Sequence, residues 1–140
     1  MCDSHREKIT LIKKKFASFR TPEERYAHLI ELGRTLSPYP SSLKTPEHLV
    51  SGCQSLLYLH ADYKDEKIFL TAHSDSLISA GLASLVISAY SGLAPSELLL
   101  SPPTFLQELG LFTSLSPNRA NGLAQIFLKM KLISLRYCAN

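Results

Sequence analysis

Apolar residues recur with helical spacing towards both ends of the chain, and they change to two short runs in its middle. Ile9, Ile12 and Phe16 stand at helical intervals among lysines, which predicts an amphipathic helix. Residues 56–61 and 67–73 are short apolar runs separated by a polar stretch, a pattern typical of a β-hairpin. Helical spacing then returns and continues towards the chain end. This order predicts an α+β fold in which two helices, a small antiparallel sheet and four further helices follow one another.

Local signals refine this outline. Residues 48–50 are expected to add a short strand, so that the sheet has about three strands. Thr21 and Glu24 are expected to form a capping box at the second helix. The helix after the hairpin is expected to begin at Ser74 or Asp75, and Gly81 within it to allow close packing against the sheet.

Composition limits the functional classes. A chain of 140 residues has the size of one domain, and its 45% hydrophobic and 19% charged content is that of a globular protein. The net charge of +3 is small, and the basic residues near the N-terminus are those of a solvated helix face, so no nucleic-acid partner is expected. No apolar run suits a membrane span or a signal peptide, and we expect a cytoplasmic protein without membrane association.

Three cysteines are present, Cys2, Cys53 and Cys138, and they lie far apart in the sequence. No pair has the spacing of a zinc site or of a CxxC redox motif, and disulfides are not expected in a cytoplasmic protein. Only Cys53 has a defined local context, since the other two lie at the chain ends.

Cys53 lies between Gly52 and the polar pair Gln54 and Ser55, just before the first apolar run. A glycine lets the backbone turn sharply, so we expect the thiol at a bend rather than inside a core element. Backbone N–H groups exposed at a bend stabilise a thiolate, which is the reactive form of cysteine. The alternative role is that of a small buried hydrophobe, the usual one for a single cysteine, and the polar setting weakens it.

Other chemistries of this thiol have less support. A Cys–His pair of the cysteine-protease type needs a histidine brought close by the fold, and no recognisable motif surrounds any of the five histidines, His5, His28, His48, His60 and His73. A metal site built from Cys53, Asp75 and a histidine is conceivable, but it would rest on one cysteine. The sequence has no glycine-rich phosphate loop.

Arg119 occupies an unusual position at the start of the last predicted helix. If Ser116 is the N-cap, Arg119 is the third helical residue, where a capping box has Glu or Gln. A cation there faces the positive end of the helix dipole, which costs a few tenths to about 1 kcal/mol. The side chain either reaches solvent or an acidic neighbour, or it points at an anion such as a thiolate, a persulfide or an acidic partner surface; the sequence leaves both open.

Four blocks together resemble the SufE/CsdE group of sulfur acceptors, which are partners of cysteine desulfurases. They are YAHLIELGRTL from Tyr26, VSGCQSLLYL around Cys53, HSDSLISAGLASLVISAYSG from His73 and LGLFTSLSPNRANGL from Leu109. The resemblance extends from about Phe16 to the last helix. Each block alone is a weak signal, but GCQS, SD…GL and LSPxRxNGL in this order and spacing are specific.

The resemblance implies one SufE-like domain over residues 1–140, with a small curved antiparallel sheet flanked by helices, similar to the IscU-like scaffold proteins of iron–sulfur assembly. It implies a covalent carrier rather than an enzyme: Cys53 takes persulfide sulfur from a PLP-dependent, SufS-like cysteine desulfurase, stimulates that enzyme, and passes the sulfur to a SufBCD-like scaffold complex. A second thiol nearby would resolve the persulfide into a disulfide, which explains the missing CxxC. We expect no cofactor and no metal in the chain itself, and the sequence leaves a homodimer open.

The resemblance also assigns residues around the thiol. Gly52, Gln54 and Ser55 accompany Cys53 in its motif, and Asp75 and Arg119 match the aspartate of the SD block and the arginine of LSPxR. All five are expected to bind the partner or to position the cysteine segment.

The chain departs from the family pattern at Tyr58, where a tryptophan is usual, and at Ser76 and Ala80. These departures bear on which desulfurase docks, not on the chemistry. Two alternatives remain: an iron–sulfur or metal scaffold protein of the same fold, which would need several converging cysteines, and a desulfurase regulator that accepts no sulfur.

Overall fold

The computed structural model describes the backbone of residues 2–50, 56–101, 104–110 and 117–138, and the side chains of 5–50, 56–101, 105–106, 108–110 and 123–138. The α-helices are α1 (Cys2–Ala17), α2 (Pro22–Arg34), α3 (Leu77–Tyr90), α4 (Pro95–Leu99) and α5 (Pro117–Cys138). The strands are β1 (Leu57–Lys64) and β2 (Lys67–Ser74). Short 3₁₀ turns cover Ser41–Leu43, Pro46–His48 and Thr104–Leu109, the last in place of a predicted α-helix. The α+β prediction is confirmed.

The start of α2 follows from its sequence. The Thr21 hydroxyl accepts a hydrogen bond from the Glu24 N–H (3.2 Å), and Pro22 occupies the first turn, where its missing N–H costs nothing. The Glu24 carboxylate accepts from the N–H of Arg20 (3.2 Å) rather than from that of Thr21, so the capping box is shifted by one residue.

The hairpin is tighter than the sequence pattern predicts. β1 and β2 pair antiparallel in register from Leu57 opposite Ser74 to Lys64 opposite Lys67, which leaves only Asp65 and Glu66 as the turn. Both turn residues have positive φ, 53° and 63°, as in the type I′ turn whose twist matches that of the strands. The sequence has no Asn-Gly or Asp-Gly there, so its polar stretch looked like a longer loop.

Each edge of the hairpin gains one further bridge. Leu49 bridges to Tyr58 at the edge of β1, where the third strand was expected, and the sheet thus has two full strands and this short addition among the described residues. At the other edge Leu93 bridges to Ile68, whose C=O accepts from the Gly92 N–H (2.7 Å). Gly92 has a φ of 91°, which lets the chain turn back after α3.

α3 is buried on nearly all sides, because it contacts α2, β2, α1 and α5. The inward faces of the hairpin and of α5 complete this core with Leu57, Leu59, Ile68, Leu70, Leu123, Ile126 and Met130. A helix that is apolar all round is typical of such an interior position. It is capped by Ser76, whose hydroxyl accepts from the Ser79 N–H (3.4 Å), one residue later than expected.

Gly81 marks the closest approach of two helices. A Cβ placed there would collide with the carbonyl oxygen of Leu29 in α2, and a Cβ at Gly33 of α2 would lie 2.9 Å from the Gly81 nitrogen. The small residue therefore serves the α2–α3 contact. The expectation that Gly81 faces the sheet is wrong, because the spacing of a small residue does not tell which neighbour approaches it.

We expect Gly81→Ala to lower the free energy of unfolding by about 3 kcal/mol, because the new methyl group collides with backbone that has no room to move. Alanine is otherwise the better helix former, so the sign of the effect reports the contact and not the propensity. Denaturant unfolding measures it, with Ser88→Ala on the exposed side of α3 as a control that stays within about 0.5 kcal/mol of the wild type. A Gly81→Ala protein as stable as the wild type would contradict this helix contact.

Candidate functional site

We call residues 51–55 the Cys53 segment. The residues on either side of it are joined by a backbone hydrogen bond. Val50 N–H donates to the C=O of Leu57 (2.8 Å), and both side chains are buried. Cys53 and its predicted companions Gly52, Gln54 and Ser55 fall in the stretch 51–55, which lies outside the described residues. The described chain therefore fixes the two points between which these residues run.

A second anchor lies at the far end of that stretch. The C=O of Leu56 accepts the Ser74 hydroxyl (2.8 Å) and the Asp75 N–H (3.4 Å). Ser74 in turn accepts the N–H of Ser76, the N-cap of α3 (3.2 Å). The junction between β2 and α3 thus holds the residue at which the described chain resumes after Cys53.

Asp75 lies beside Leu56, the first described residue after Cys53. Its side chain is exposed, while its backbone N–H is bound to Leu56, three residues after Cys53. A carboxylate just before a helix is favoured by the helix dipole, so the position costs little. Asp75 therefore offers a negative charge to solvent beside the stretch that carries the thiol.

Arg119 lies on the first turn of α5, since that helix begins at Pro117. Its side chain is outside the described residues, so its approach to Cys53 stays a prediction. The helix itself is tied to the chain upstream of the thiol, because the Lys129 ammonium donates to the C=O of Glu47 (2.6 Å).

An aromatic stack covers the neighbouring surface of the sheet. Tyr58 and His73 are cross-strand partners, and the ring of Tyr39 lies against both, with ring centroids 6.1 Å and 6.2 Å away. The Tyr39 hydroxyl donates to the C=O of Leu43 (3.0 Å). Burial, and to a smaller degree the nearby Tyr58, raise the pKa of Tyr39, so the phenol remains a neutral donor. Tyr58 thus has an aromatic packing role on this face of the sheet.

No sequence motif marks Tyr39 as part of this surface. The available signal was its place between Pro38 and Pro40, which restrict the backbone on both sides.

A chain of hydrogen bonds links the turn upstream of Cys53 to β1. It runs from Thr45 Oγ1 to His48 Nδ1 (2.9 Å), from His48 Nε2 to His60 Nδ1 (3.0 Å) and from His60 Nε2 to Asp62 Oδ1 (3.0 Å). The sequence suggested these histidines only as possible companions of Cys53, and their spacing gives no sign that they pair with each other. Within the described part of the chain, no group of three or more His, Cys, Asp or Glu side chains is arranged to hold a metal ion.

None of the helices in the described ranges is both long enough and apolar enough to cross a bilayer.

Comparisons with known proteins agree with the motif blocks. The model of the family described as "SufE: Fe-S metabolism associated domain" matches residues 10–133. An uncharacterized SufE-like protein of Synechocystis sp. is 34% identical over 129 residues, which make up 92% of this chain and 81% of that one. The cysteine desulfuration protein SufE of Wigglesworthia glossinidia brevipalpis is 34% identical over 122 residues, 86% of this chain and 84% of that one.

Two further matches differ in length or in what they establish. SufE-like protein 1, chloroplastic/mitochondrial, of Arabidopsis thaliana is 38% identical over 125 residues, which are 89% of this chain but only 34% of that protein. The solution structure of a hypothetical protein from Thermus thermophilus has a TM-score of 0.79 at 24% identity, covering 95% of this chain and 97% of that one, and it supports the fold alone. With a family model that spans most of its length and two relatives matched over most of theirs, the chain belongs to the SufE family.

Proposed function

We propose that this protein accepts sulfur on Cys53 from a PLP-dependent, SufS-like cysteine desulfurase and hands it to a SufBCD-like iron–sulfur scaffold complex. The observation that carries the proposal is the SufE family match over residues 10–133, a span that includes the GCQS block with its single cysteine. Sulfur transfer connected with iron–sulfur metabolism is the role that this family membership supports.

The proposed reaction is a thiolate displacement that balances without an oxidant or a reductant. The Cys53 thiolate attacks the terminal sulfur of the desulfurase persulfide, a new S–S bond forms, and the desulfurase cysteine leaves as a thiolate. The same step, with Cys53 as the leaving group, passes the sulfur to the next acceptor. Cys53 is regenerated, and removal of the product from the desulfurase accounts for its stimulation. The protein acts as a covalent carrier and accessory of an enzyme.

The geometry next to the segment fits such a carrier. The bond between Val50 and Leu57 and the bonds from Ser74 and Asp75 to Leu56 hold the two ends of a short segment on a packed hairpin. A partner that reaches Cys53 thus meets a segment whose ends are already fixed, which lowers the ordering cost of docking.

Asp75 and Arg119 are proposed to supply charges for docking and for the transferred sulfur. Asp75 is exposed beside the segment and suits a basic patch on the partner. Arg119, on the first turn of α5, suits the anionic sulfur of the thiolate or persulfide.

The iron–sulfur scaffold alternative has little support from the cysteines. Cys138 is a free, exposed thiol at the end of α5, and Cys2 lies at the opposite end of the chain.

We place the reaction in the cytoplasm, because a persulfide carrier needs a compartment in which thiols stay reduced.

Incubation with a cysteine desulfurase and L-cysteine should add the mass of one sulfur atom to the wild-type chain and none to Cys53→Ser. Intact mass spectrometry without reductant measures this. Cys138→Ser is the matched control, because it removes another free thiol and should accept sulfur like the wild type.

Two results would count against the proposal. Sulfur on Cys53→Ser would assign the acceptor to another residue, and stimulation of the desulfurase that survives Cys53→Ser would favour the regulator that accepts no sulfur.

Arg119→Ala should slow sulfur acceptance roughly tenfold while the protein stays folded, because a hydrogen bond to a charged group contributes about 1.5–3 kcal/mol. Single-turnover transfer from the desulfurase persulfide measures the rate. Lys131→Ala, which removes an exposed cation from the same helix, is the control and should leave the rate unchanged. Equal rates for Arg119→Ala and the wild type would remove Arg119 from the site.

Asp75→Asn should raise the concentration of acceptor needed for half-maximal desulfurase stimulation, with the maximal rate retained. The substitution keeps the backbone bond to Leu56 and removes only the charge, so its effect should shrink as salt increases. Asp65→Asn, an exposed carboxylate at a positive-φ turn position that Asn accepts readily, is the control. An Asp75→Asn protein with unchanged half-maximal concentration at low salt would exclude a docking role for this charge.

A further inference from the structure

The hydrogen-bond chain from Thr45 to Asp62 joins two parts of the fold. Thr45 precedes the turn Pro46–His48, and His48 is its last residue. His60 and Asp62 lie on the outward face of β1. The turn leads directly into Leu49, which bridges to Tyr58, and into Val50, which is bound to Leu57. The two imidazoles are thus a side-chain clamp beside the backbone bonds that precede the Cys53 segment.

The direction of each bond follows from its chemistry. The ionised Asp62 carboxylate, whose side chain is 70% exposed, can only accept, so His60 carries its proton on Nε2 and leaves Nδ1 as an acceptor. His48 then donates from Nε2 to His60 Nδ1, and its own Nδ1 accepts the Thr45 hydroxyl proton. All three bonds are satisfied with both rings neutral.

This arrangement has room for one extra proton and not for two. A proton on His48 Nδ1 needs only a rotation of the Thr45 hydroxyl, which then accepts. With both rings protonated, two N–H groups face each other across 3.0 Å and neither nitrogen can accept. The doubly protonated pair therefore has to separate.

The charged groups around the pair act on it with both signs. His48, His60, Glu47, Lys129, Arg136 and Tyr137 line a groove of about 160 Å³ between the turn, β1 and α5. Burial, the neighbouring His60 and the Lys129 ammonium lower the pKa of His48, and the Glu47 carboxylate opposes them. On the β1 side, the Asp62 carboxylate accepts the hydrogen bond from His60 Nε2 (3.0 Å). A second proton on the pair would therefore be placed next to an imidazole that is already charged, with the rings joined at 3.0 Å.

We propose that His48 and His60 are positioning residues that hold Leu49 and Val50 against β1, and that loading both rings with protons releases this edge and misplaces the segment that carries the acceptor thiol. Cys53 follows Val50 by three residues, so the position of Val50 sets where the segment leaves the sheet. The link to sulfur transfer rests on the function proposed above; the clamp itself does not.

The sign of the pH effect follows from linkage. The folded state holds the His48 proton more weakly than an open state, whose histidine has the ordinary pKa of 6.5. The clamp is therefore complete above about pH 6.5 and weakens as the pH falls below it, because acid favours the state that binds more protons. Loss of the clamp on acidification, and not on alkalinisation, is the expected direction.

Amide hydrogen exchange followed by NMR tests the clamp in the intact protein. We expect the protection factor of the Val50 N–H to fall at least tenfold between about pH 7.5 and about pH 5.5, the range in which histidine pairs titrate. The Ile68 N–H, bound to Leu93 at the opposite edge (2.8 Å), is the internal control and should keep its protection. Val50 protection that follows that of Ile68 across this range would overturn the proposal.

The variant His60→Asn removes the titratable ring at position 60 but keeps a hydrogen-bond acceptor for His48. The Asn oxygen replaces His60 Nδ1 as the acceptor for His48 but takes up no proton, so the pH dependence of Val50 protection should become shallower and leave only the contribution of the partly buried His48 itself. His73→Asn, on the same face of the neighbouring strand, should retain the wild-type dependence. A His60→Asn protein that keeps the wild-type pH profile would contradict the role of the pair, and if it does not fold, the wild-type exchange data alone still decide.

The rate of sulfur acceptance gives the functional readout. In the wild type it should fall with acid more steeply than in His60→Asn, after correction for the thiolate fraction of Cys53. Equal acid dependence in both proteins would overturn the positioning role. A wild type that loses Val50 protection in acid yet never gains sulfur would leave the clamp standing and refute the proposed function instead.

Discussion

The burial of α3 between α2 and the hairpin is the interaction on which the rest of this structure depends. A two-stranded hairpin is marginal by itself in water, so it needs a covering helix. α3 covers it and is in turn covered by α2, at the close contact of Gly81 with Leu29. Because α3 is fixed there, the junction at its N-terminus is fixed too, and this junction holds Leu56 through Ser74. The core thus determines where the chain resumes after Cys53.

The proposed function gives a covalent role to one residue and positional roles to its neighbours. Sulfur exchange between thiolates needs a single nucleophile and no net oxidation, so the task that we propose for the protein is to present that nucleophile to its partner. The flank before Cys53 is bound to β1 through Val50, and the flank after it is bound to the β2–α3 junction through Leu56. The histidine pair adds a bond beside the first flank that depends on protonation. The anchoring of the Cys53 segment and its proposed dependence on pH would then lie at the same edge of the hairpin.

Sequence reasoning predicted the features that periodicity and capping encode, namely the α+β order, the hairpin and the helix beginning after Thr21. It missed features that only tertiary contacts create: the partner of Gly81, the stack of Tyr39 on Tyr58, and the pairing of His48 with His60. Residues twelve apart become neighbours through strand pairing, and no local pattern records this. The turn at Asp65 was missed because its sequence lacks the usual glycine.

The central claim is that Cys53 alone receives sulfur, and locating the transferred atom tests it most directly. A single turnover of a cysteine desulfurase on isotopically labelled L-cysteine, quenched by alkylation and followed by tandem mass spectrometry of peptides, would show where the label resides. We expect labelled persulfide on the peptide that contains Cys53, and unlabelled peptides for Cys2 and Cys138. Label on Cys138, or label that stays entirely on the desulfurase, would contradict it.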